Sequence, residues 1–298
     1  QMSGDAVVHY LVPATVRHDH PVVMVPGLGL TSYIYLSTPD GREGWAQNFV
    51  RESFAVYVMD PPDTGVSGFP VGETDGSGRP TAGGGQGPSF MLWPNESVWR
   101  RWGFGPEPGQ AFDDTRYPVE HIDQLLCSLT PVYRGTARGR QPAGGRGGRG
   151  RRGGGRAGGG RRGNGGGLRG GGGMSGAGGT TSALVALLQK IGPAALIVHS
   201  AAGRAGLQVA QEHPDLVTAL VVIEPVGSVT DMRQIRASFT DTPYLAVFGD
   251  HFESRRMQGR FEGCREMARL IDEAGGRSKM LRLPEIGISG NTHLLMQD

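Results

Sequence analysis

The stretch Ala194-Ala195-Leu196-Ile197-Val198-His199-Ser200-Ala201-Ala202-Gly203 decides the fold: a short apolar run passes directly into a serine followed by small residues. Residues 194–199 are nearly continuous in apolar character, the pattern of a strand covered on both faces. Residues 202–212 carry a helical pattern that ends before Pro214. A buried strand, a sharp turn and a helix therefore follow one another, with Ser200 at the turn. Further strands of the same kind are expected at 21–25, 54–60, 216–223, 244–249 and 279–283. The first ends on Pro26-Gly27, the second on Pro61-Pro62 and the third on Glu224-Pro225. Residues 255–274 place Met257, Phe261, Cys264, Met267, Leu270 and Ile271 on one helix face and stop at Gly275-Gly276. Strands alternating with helices predict an α/β protein with a doubly wound, mostly parallel sheet.

Two regions interrupt the alternation. Residues 65–130 are rich in Gly and Pro at first, yet hold Phe90, Trp93, Trp99, Trp102 and Phe104. They read as a cap-like excursion above the sheet, with a helix at 118–127. Its tryptophans line a pocket or fill the excursion's own small core, and both readings stay open. The block 134–179 holds 24 glycines and 11 arginines and no acid. With so little apolar surface to offset the entropy of ordering, it is expected to be a disordered low-complexity loop. Taking its 11 positive charges from the formal +2 leaves −9 on the rest of the 298 residues. The basic balance therefore belongs to the block and does not point to nucleic acid. The block resembles RNA-binding Arg/Gly segments in composition, but it lacks interspersed aromatics to stack on bases.

Cys127 and Cys264 are too few and too far apart for a disulfide framework and read as core residues on helix faces. No apolar stretch is long enough to span a bilayer, and no basic-then-apolar leader is visible. The chain begins Gln1-Met2 and ends at Asp298 just after an apolar run, so a single domain shortened at both ends is expected. His18 and His20 form an H-x-H without a third ligand, so a metal site is not expected there.

In an open parallel sheet, functional groups collect at the carboxyl ends of strands. A serine at a strand-to-helix turn is lifted into exposure next to the free N–H groups of the next helix. It needs a base, and a histidine base needs a carboxylate to fix its tautomer. Taken literally the turn is a degraded G-x-S-x-G, with Val198 and Ala202 at the glycine positions and a glycine only at Gly203. Glu224 ends the next strand and His293 follows in Gly290-Asn291-Thr292-His293, giving the order serine, acid, histidine. Asp250, at the end of the following strand, is the rival acid. His199, adjacent to Ser200 on the strand, is expected to point to the opposite face and to be structural, and His251 reads as a loop residue. The turn Pro26-Gly27-Leu28-Gly29 lies where one oxyanion N–H is supplied, and Ala201 would supply the other.

These features resemble the α/β-hydrolase superfamily, and within it a group of mainly bacterial serine esterases with an H-S-Q-S-G-type elbow. The matching segments run in order along the chain: Thr38-Pro39-Asp40-Gly41-Arg42-Glu43-Gly44-Trp45, Ala55 to Asp60, Phe104-Gly105-Pro106, Phe112-Asp113-Asp114-Thr115, Glu224-Pro225, Phe248-Gly249-Asp250-His251 and Gly290 to His293. The resemblance implies an α/β-hydrolase fold, a Ser200–Glu224–His293 triad, and oxyanion N–H groups from Leu28 and Ala201. It also implies carboxylic ester substrates hydrolysed through a serine acyl-enzyme, without cofactor or metal. The chain departs from that group in four ways. Pro26 stands in place of a histidine, Ala201 in place of a glutamine, the turn 60–65 lacks an arginine, and the Arg/Gly block is inserted before the nucleophile strand. Val198, Pro26 and the apparent shortening of both ends motivate an alternative, a catalytically impaired ligand- or partner-binding protein of the same fold. Compartment and oligomeric state, a homodimer included, are left open.

Overall fold

The computed structural model describes residues 5–68, 88–136, 176–252, 255 and 257–298. Its strands are β1 (Val7–Leu11), β2 (Val22–Val25), β3 (Val56–Asp60), β4 (Pro88–Met91), β5 (Val132–Thr136), β6 (Ala194–His199), β7 (Val217–Ile223), β8 (Tyr244–Phe248) and β9 (Ser278–Arg282). The helices are α1 (Tyr33–Leu36), α2 (Trp45–Arg51), α3 (Asn95–Trp102), α4 (Ile122–Ser128), α5 (Gly176–Ile191), α6 (Gly203–Glu212), α7 (Met232–Ser238) and α8 (Gln258–Glu273). Seven strands form one sheet in the order β1-β3-β2-β6-β7-β8-β9. All neighbours are parallel except β1, which runs antiparallel along β3 at one edge.

The alternation of side chains along each strand feeds two cores. Val23 and Val25 of β2 and Leu196 and Val198 of β6 join the helices α5 to α8 on one face. Val22, Met24 and Ile197 point the other way, into a cluster with Tyr35, Trp99, Trp102, Phe104 and Leu294. Both faces are therefore buried, which is why the strands read as continuous apolar runs. The excursion contributes α3 and α4 to the second core, so it packs on the sheet and is not an independent lobe.

The chain leaves β2 for β3 on one side and returns as β6 on the other. The carboxyl ends of β2 and β6 thus flank a point where strand order reverses, the usual place for a ligand crevice in such sheets. Gly27 and Ser200 lie there.

The sequence reading needs several corrections. It missed β1, whose half-exposed edge pattern gives little apolar signal, and it missed α5, whose first turn is glycines. The disordered-block reading of 134–179 falls mainly on 137–175, outside the described residues, but both ends belong to regular elements: 134–136 close β5, and 176–179 open α5. The helix expected at 255–274 starts at Gln258. Cys127 is exposed, against expectation, while Cys264 is buried. Among the described residues no helix is long and apolar enough to cross a membrane.

Candidate active site

Ser200 follows the last residue of β6 and opens a 3-10 turn, Ser200–Ala202, that leads into α6. Its φ is +51°, a left-handed conformation that is rare outside glycine. Such strain persists only where the surroundings impose it, and it clusters at working sites. The two departures from the glycine pattern are met by neighbours. A Cβ added to Gly206 of α6 would lie 2.8 Å from Val198 Cγ1, so the bare helix backbone there makes room for the Val198 isopropyl group. A Cβ on Gly203 would lie 2.5 Å from Pro225 Cβ, so Gly203 allows the close approach of α6 to the end of β7. The elbow packing is thus kept with its glycines moved to Gly203 and Gly206.

Glu224 follows the last residue of β7, has a φ of +41° and is fully buried. Its Oε2 lies 2.6 Å from His293 Nδ1, and its Oε1 accepts the Gly249 N–H at 3.0 Å. Arg255 grips both oxygens, Nη1 to Oε2 at 2.6 Å and Nη2 to Oε1 at 2.7 Å. Burial alone would raise the carboxyl's pKa. The Arg255 charge and the bonds from His293 and Arg255 outweigh it and hold the group well below the ordinary carboxylate range. A bidentate guanidinium pair fully removed from water keeps Glu224 ionised and rotationally fixed.

His293 is held from three directions. Its backbone N–H donates to the Trp102 carbonyl at 2.6 Å, its own carbonyl accepts His199 Nε2–H at 2.9 Å, and its Nδ1–H points at Glu224. Burial pushes its pKa down. Glu224 opposes this in part, while Arg255 and Arg260 add to the lowering. The neutral imidazole therefore carries its proton on Nδ1 and keeps a lone pair on Nε2. Among the described residues no hydrogen bond joins the Ser200 hydroxyl to His293. The two nevertheless line one small pocket, together with Leu28, Leu30, Trp93 and Trp102. Such contacts often tighten only with substrate bound.

Leu28 and Ala201, the expected oxyanion donors, both line a larger cleft of about 350 Å³ beside Ser200. The turn that carries Leu28 is pinned by the excursion: Trp93 Nε1–H donates to the Leu28 carbonyl at 3.2 Å, and Thr130 N–H donates to the Gly29 carbonyl at 3.0 Å. Gly27 is required by proximity, since a Cβ there would meet Ser200 Cβ at 2.8 Å.

Asp250, the rival acid, does not face His293. Its Oδ2 accepts from Asn291 N–H at 2.8 Å and from Asn291 Nδ2 at 2.7 Å, so it fixes the backbone two residues before His293. Asp298 does the same for Thr292, accepting its N–H at 2.7 Å and its hydroxyl at 2.6 Å. His199 is buried behind the imidazole of His293. Burial holds its pKa well below the ordinary value, so it stays neutral and acts through its bond to the His293 carbonyl. His251 stacks on Phe112 and faces Asp114. His18 stacks on Phe54, and among the described residues no group of three or more His, Cys, Asp or Glu is arranged to hold a metal. The tryptophans divide between the two roles left open. Trp93 and Trp102 line the pocket at Ser200, whereas Trp99 is core, packed against Phe104.

Arg255 is the residue that sequence reasoning missed. It sits in the loop before α8, 2% exposed, although arginine is among the residues least often buried. Nothing in its local sequence distinguishes it from the exposed arginines of α8.

No protein-family model matches the chain. Among solved structures, that of a bacterial esterase superposes with a TM-score of 0.74 at 27% identity, covering 98% of this chain and 80% of that one. A curated fungal protein named "Probable secreted lipase phiG", from Fungal sp. (strain ATCC 74256), is 26% identical over 230 residues. The match takes in 74% of this chain, which spans about half (49%) of that relative's length. With the sheet order and these likenesses together, the chain has the α/β-hydrolase fold and is similar to esterases of that superfamily.

Proposed function

We propose that the chain hydrolyses carboxylic esters through a serine acyl-enzyme. The observation that carries this reading is the buried Glu224–His293 pair at 2.6 Å, sharing a pocket with a left-handed Ser200. In the proposed cycle Ser200 Oγ attacks the ester carbonyl carbon while His293 Nε2 takes the hydroxyl proton. The carbonyl oxygen becomes an oxyanion beside the Leu28 and Ala201 N–H groups. As the intermediate collapses, the C–O bond to the alcohol breaks and His293 returns the proton to the leaving oxygen. Water then repeats both steps on the acyl-enzyme and releases the acid. Glu224 orients His293 and offsets its transient charge, and Arg255 holds Glu224 for that task. The esterase and lipase names of the similar proteins agree with this reading. Residues 65–130 would serve as a cap, since Trp93, Arg101 and Trp102 all line the space at Ser200. The alternative of an inactive binding protein drew on Val198, Pro26 and the apparent shortening of both ends; of these, Val198 is accommodated by the space beside Gly206.

The choice of acid is tested by comparing Glu224→Gln with Asp250→Asn on a short nitrophenyl ester. Glu224→Gln is expected to lower kcat by about 10⁴, the order seen when a triad carboxylate is neutralised. Asp250→Asn is expected to lower stability by about 1–3 kcal/mol through the Asn291 contacts while retaining most turnover. The reverse ranking would assign the acid to Asp250.

The pH profile carries a signed expectation. The base must be neutral, and the His293 pKa lies below its ordinary 6.5. The acid limb of kcat/KM for the free enzyme is therefore expected below pH 6.5, with activity kept above it. Since Glu224 raises the His293 pKa, Glu224→Gln should move the residual limb lower still. A limb at or above 6.5 would contradict the buried geometry described for His293.

A further inference from the structure

Three guanidinium groups line the cleft beside Ser200: Arg101 from α3, Arg204 from the first turn of α6, and Arg260 from α8. We infer that the ester taken by this site carries a small anionic group, such as a carboxylate, held by Arg101, Arg204 and Arg260 near the scissile bond. This rests on the hydrolase reading above and adds the class of substrate.

Among the described residues, no salt bridge joins these three cations to a carboxylate, and the ion pairs engage other arginines. Arg101 lies over the Trp93 ring at 5.6 Å, and Arg260 donates from Nη1 to the Glu224 backbone carbonyl at 3.1 Å. Both are steered by neutral groups, an aromatic face and a backbone carbonyl. Arg204 occupies the first turn of α6, where the helix dipole disfavours a cation and favours an anion. The Glu224 charge is already neutralised by Arg255. One carboxylate, Asp63, is found among the lining residues. Burial pushes its pKa up, the opposite of what pairing with a guanidinium would produce. Burial lowers the Arg260 pKa, the Glu224 charge opposes this in part, and the nearby Arg101, Arg255 and Arg204 charges add to the lowering.

Like charges lining one cleft oppose folding and are retained where they meet a ligand. They also stand out from their setting, since the chain outside the Arg/Gly block carries a formal −9. The remaining cleft wall is largely apolar, with Pro62, Met91, Trp93, Val132 and Val226 among its residues. The shape suits an ester whose hydrocarbon part lies on that wall and whose anion reaches the arginines.

The test compares matched pairs of esters on the intact chain at low ionic strength. One pair places the charge on the acyl side, 4-nitrophenyl hydrogen glutarate against 4-nitrophenyl valerate. The other places it on the alcohol side, 3-carboxyphenyl acetate against phenyl acetate. In at least one pair the anionic ester is expected to have the higher kcat/KM, by about tenfold or more, through a lower KM. The preferred pair tells which side of the ester faces the arginines. The preference should shrink as salt is raised, and the anionic-to-neutral ratio should fall toward one in Arg204→Gln and Arg260→Gln. Turnover of the neutral esters as fast as or faster than the anionic ones in both pairs would overturn the inference and leave ester hydrolysis standing. No turnover of any of the four would contradict the hydrolase reading itself, and this inference with it.

Discussion

Ser200→Ala is expected to lower kcat on a nitrophenyl ester by a factor on the order of 10⁶ while leaving the folded chain intact. Ser200 is 9% exposed and makes no side-chain hydrogen bond among the described residues, so removing its hydroxyl orphans no buried partner. The fold therefore has little to lose and the chemistry has nearly everything. What remains should come from the backbone donors and the binding cleft, which do not depend on the hydroxyl. Thermal unfolding and steady-state kinetics on the same preparation check both halves. A variant that retained more than a few per cent of turnover would show that another group carries the nucleophile's role.

Arg255→Met is expected to act in the opposite way, on the fold first and the chemistry second. Removing the guanidinium leaves Glu224 buried, with His293 and the Gly249 N–H as its remaining side-chain partners. Breaking a buried pair from one side costs about 3–5 kcal/mol, because the surviving charge has no water to return to. Arg255→Lys keeps a charge but not the two-pronged fit, so an intermediate loss is expected. The double variant Arg255→Met/Glu224→Gln should recover much of the stability of Arg255→Met without its activity, since neither charge is left alone. A positioning role predicts one more effect. The Arg255 charge lowers the His293 pKa, so in Arg255→Met the acid limb of the rate profile should move upward. A purely structural arginine would lower the melting temperature and leave that limb in place.

Much of the fold was legible because the sheet is buried on both faces. Val22–Val25, Ala194–His199 and Val217–Ile223 are apolar along nearly their whole length, and each stops at a turn residue or at the site itself. The edge strand Val7–Leu11 was not legible, since none of its residues is fully buried, two of the five are exposed and it carries His9 and Tyr10. Helix α5 was hidden because its opening residues, Gly-Ala-Gly-Gly, are poor helix formers whose pattern continues the Arg/Gly block.

At the site, Ser200, Glu224 and His293 could be picked out because each ends a strand or closes a characteristic segment. Their support could not. Gly206 is six positions beyond Ser200, and only the coordinates show that its missing side chain answers the bulk of Val198. Arg255 reaches Glu224 across 31 positions of chain, and nothing local marks an arginine that will be buried. The pairing of Asp250 with Asn291 is likewise a tertiary fact. Sequence order alone left Asp250 open as an acid because both carboxylates end neighbouring strands.

The most direct measurement is fluorophosphonate labelling of the intact folded chain, with the modified residue mapped by mass spectrometry. The hydrolase account predicts one adduct, on Ser200 Oγ with loss of fluoride, absent in Ser200→Ala and strongly slowed in His293→Ala. A folded chain that takes no label at Ser200, or a Ser200→Ala variant labelled as fast as the parent, would contradict it.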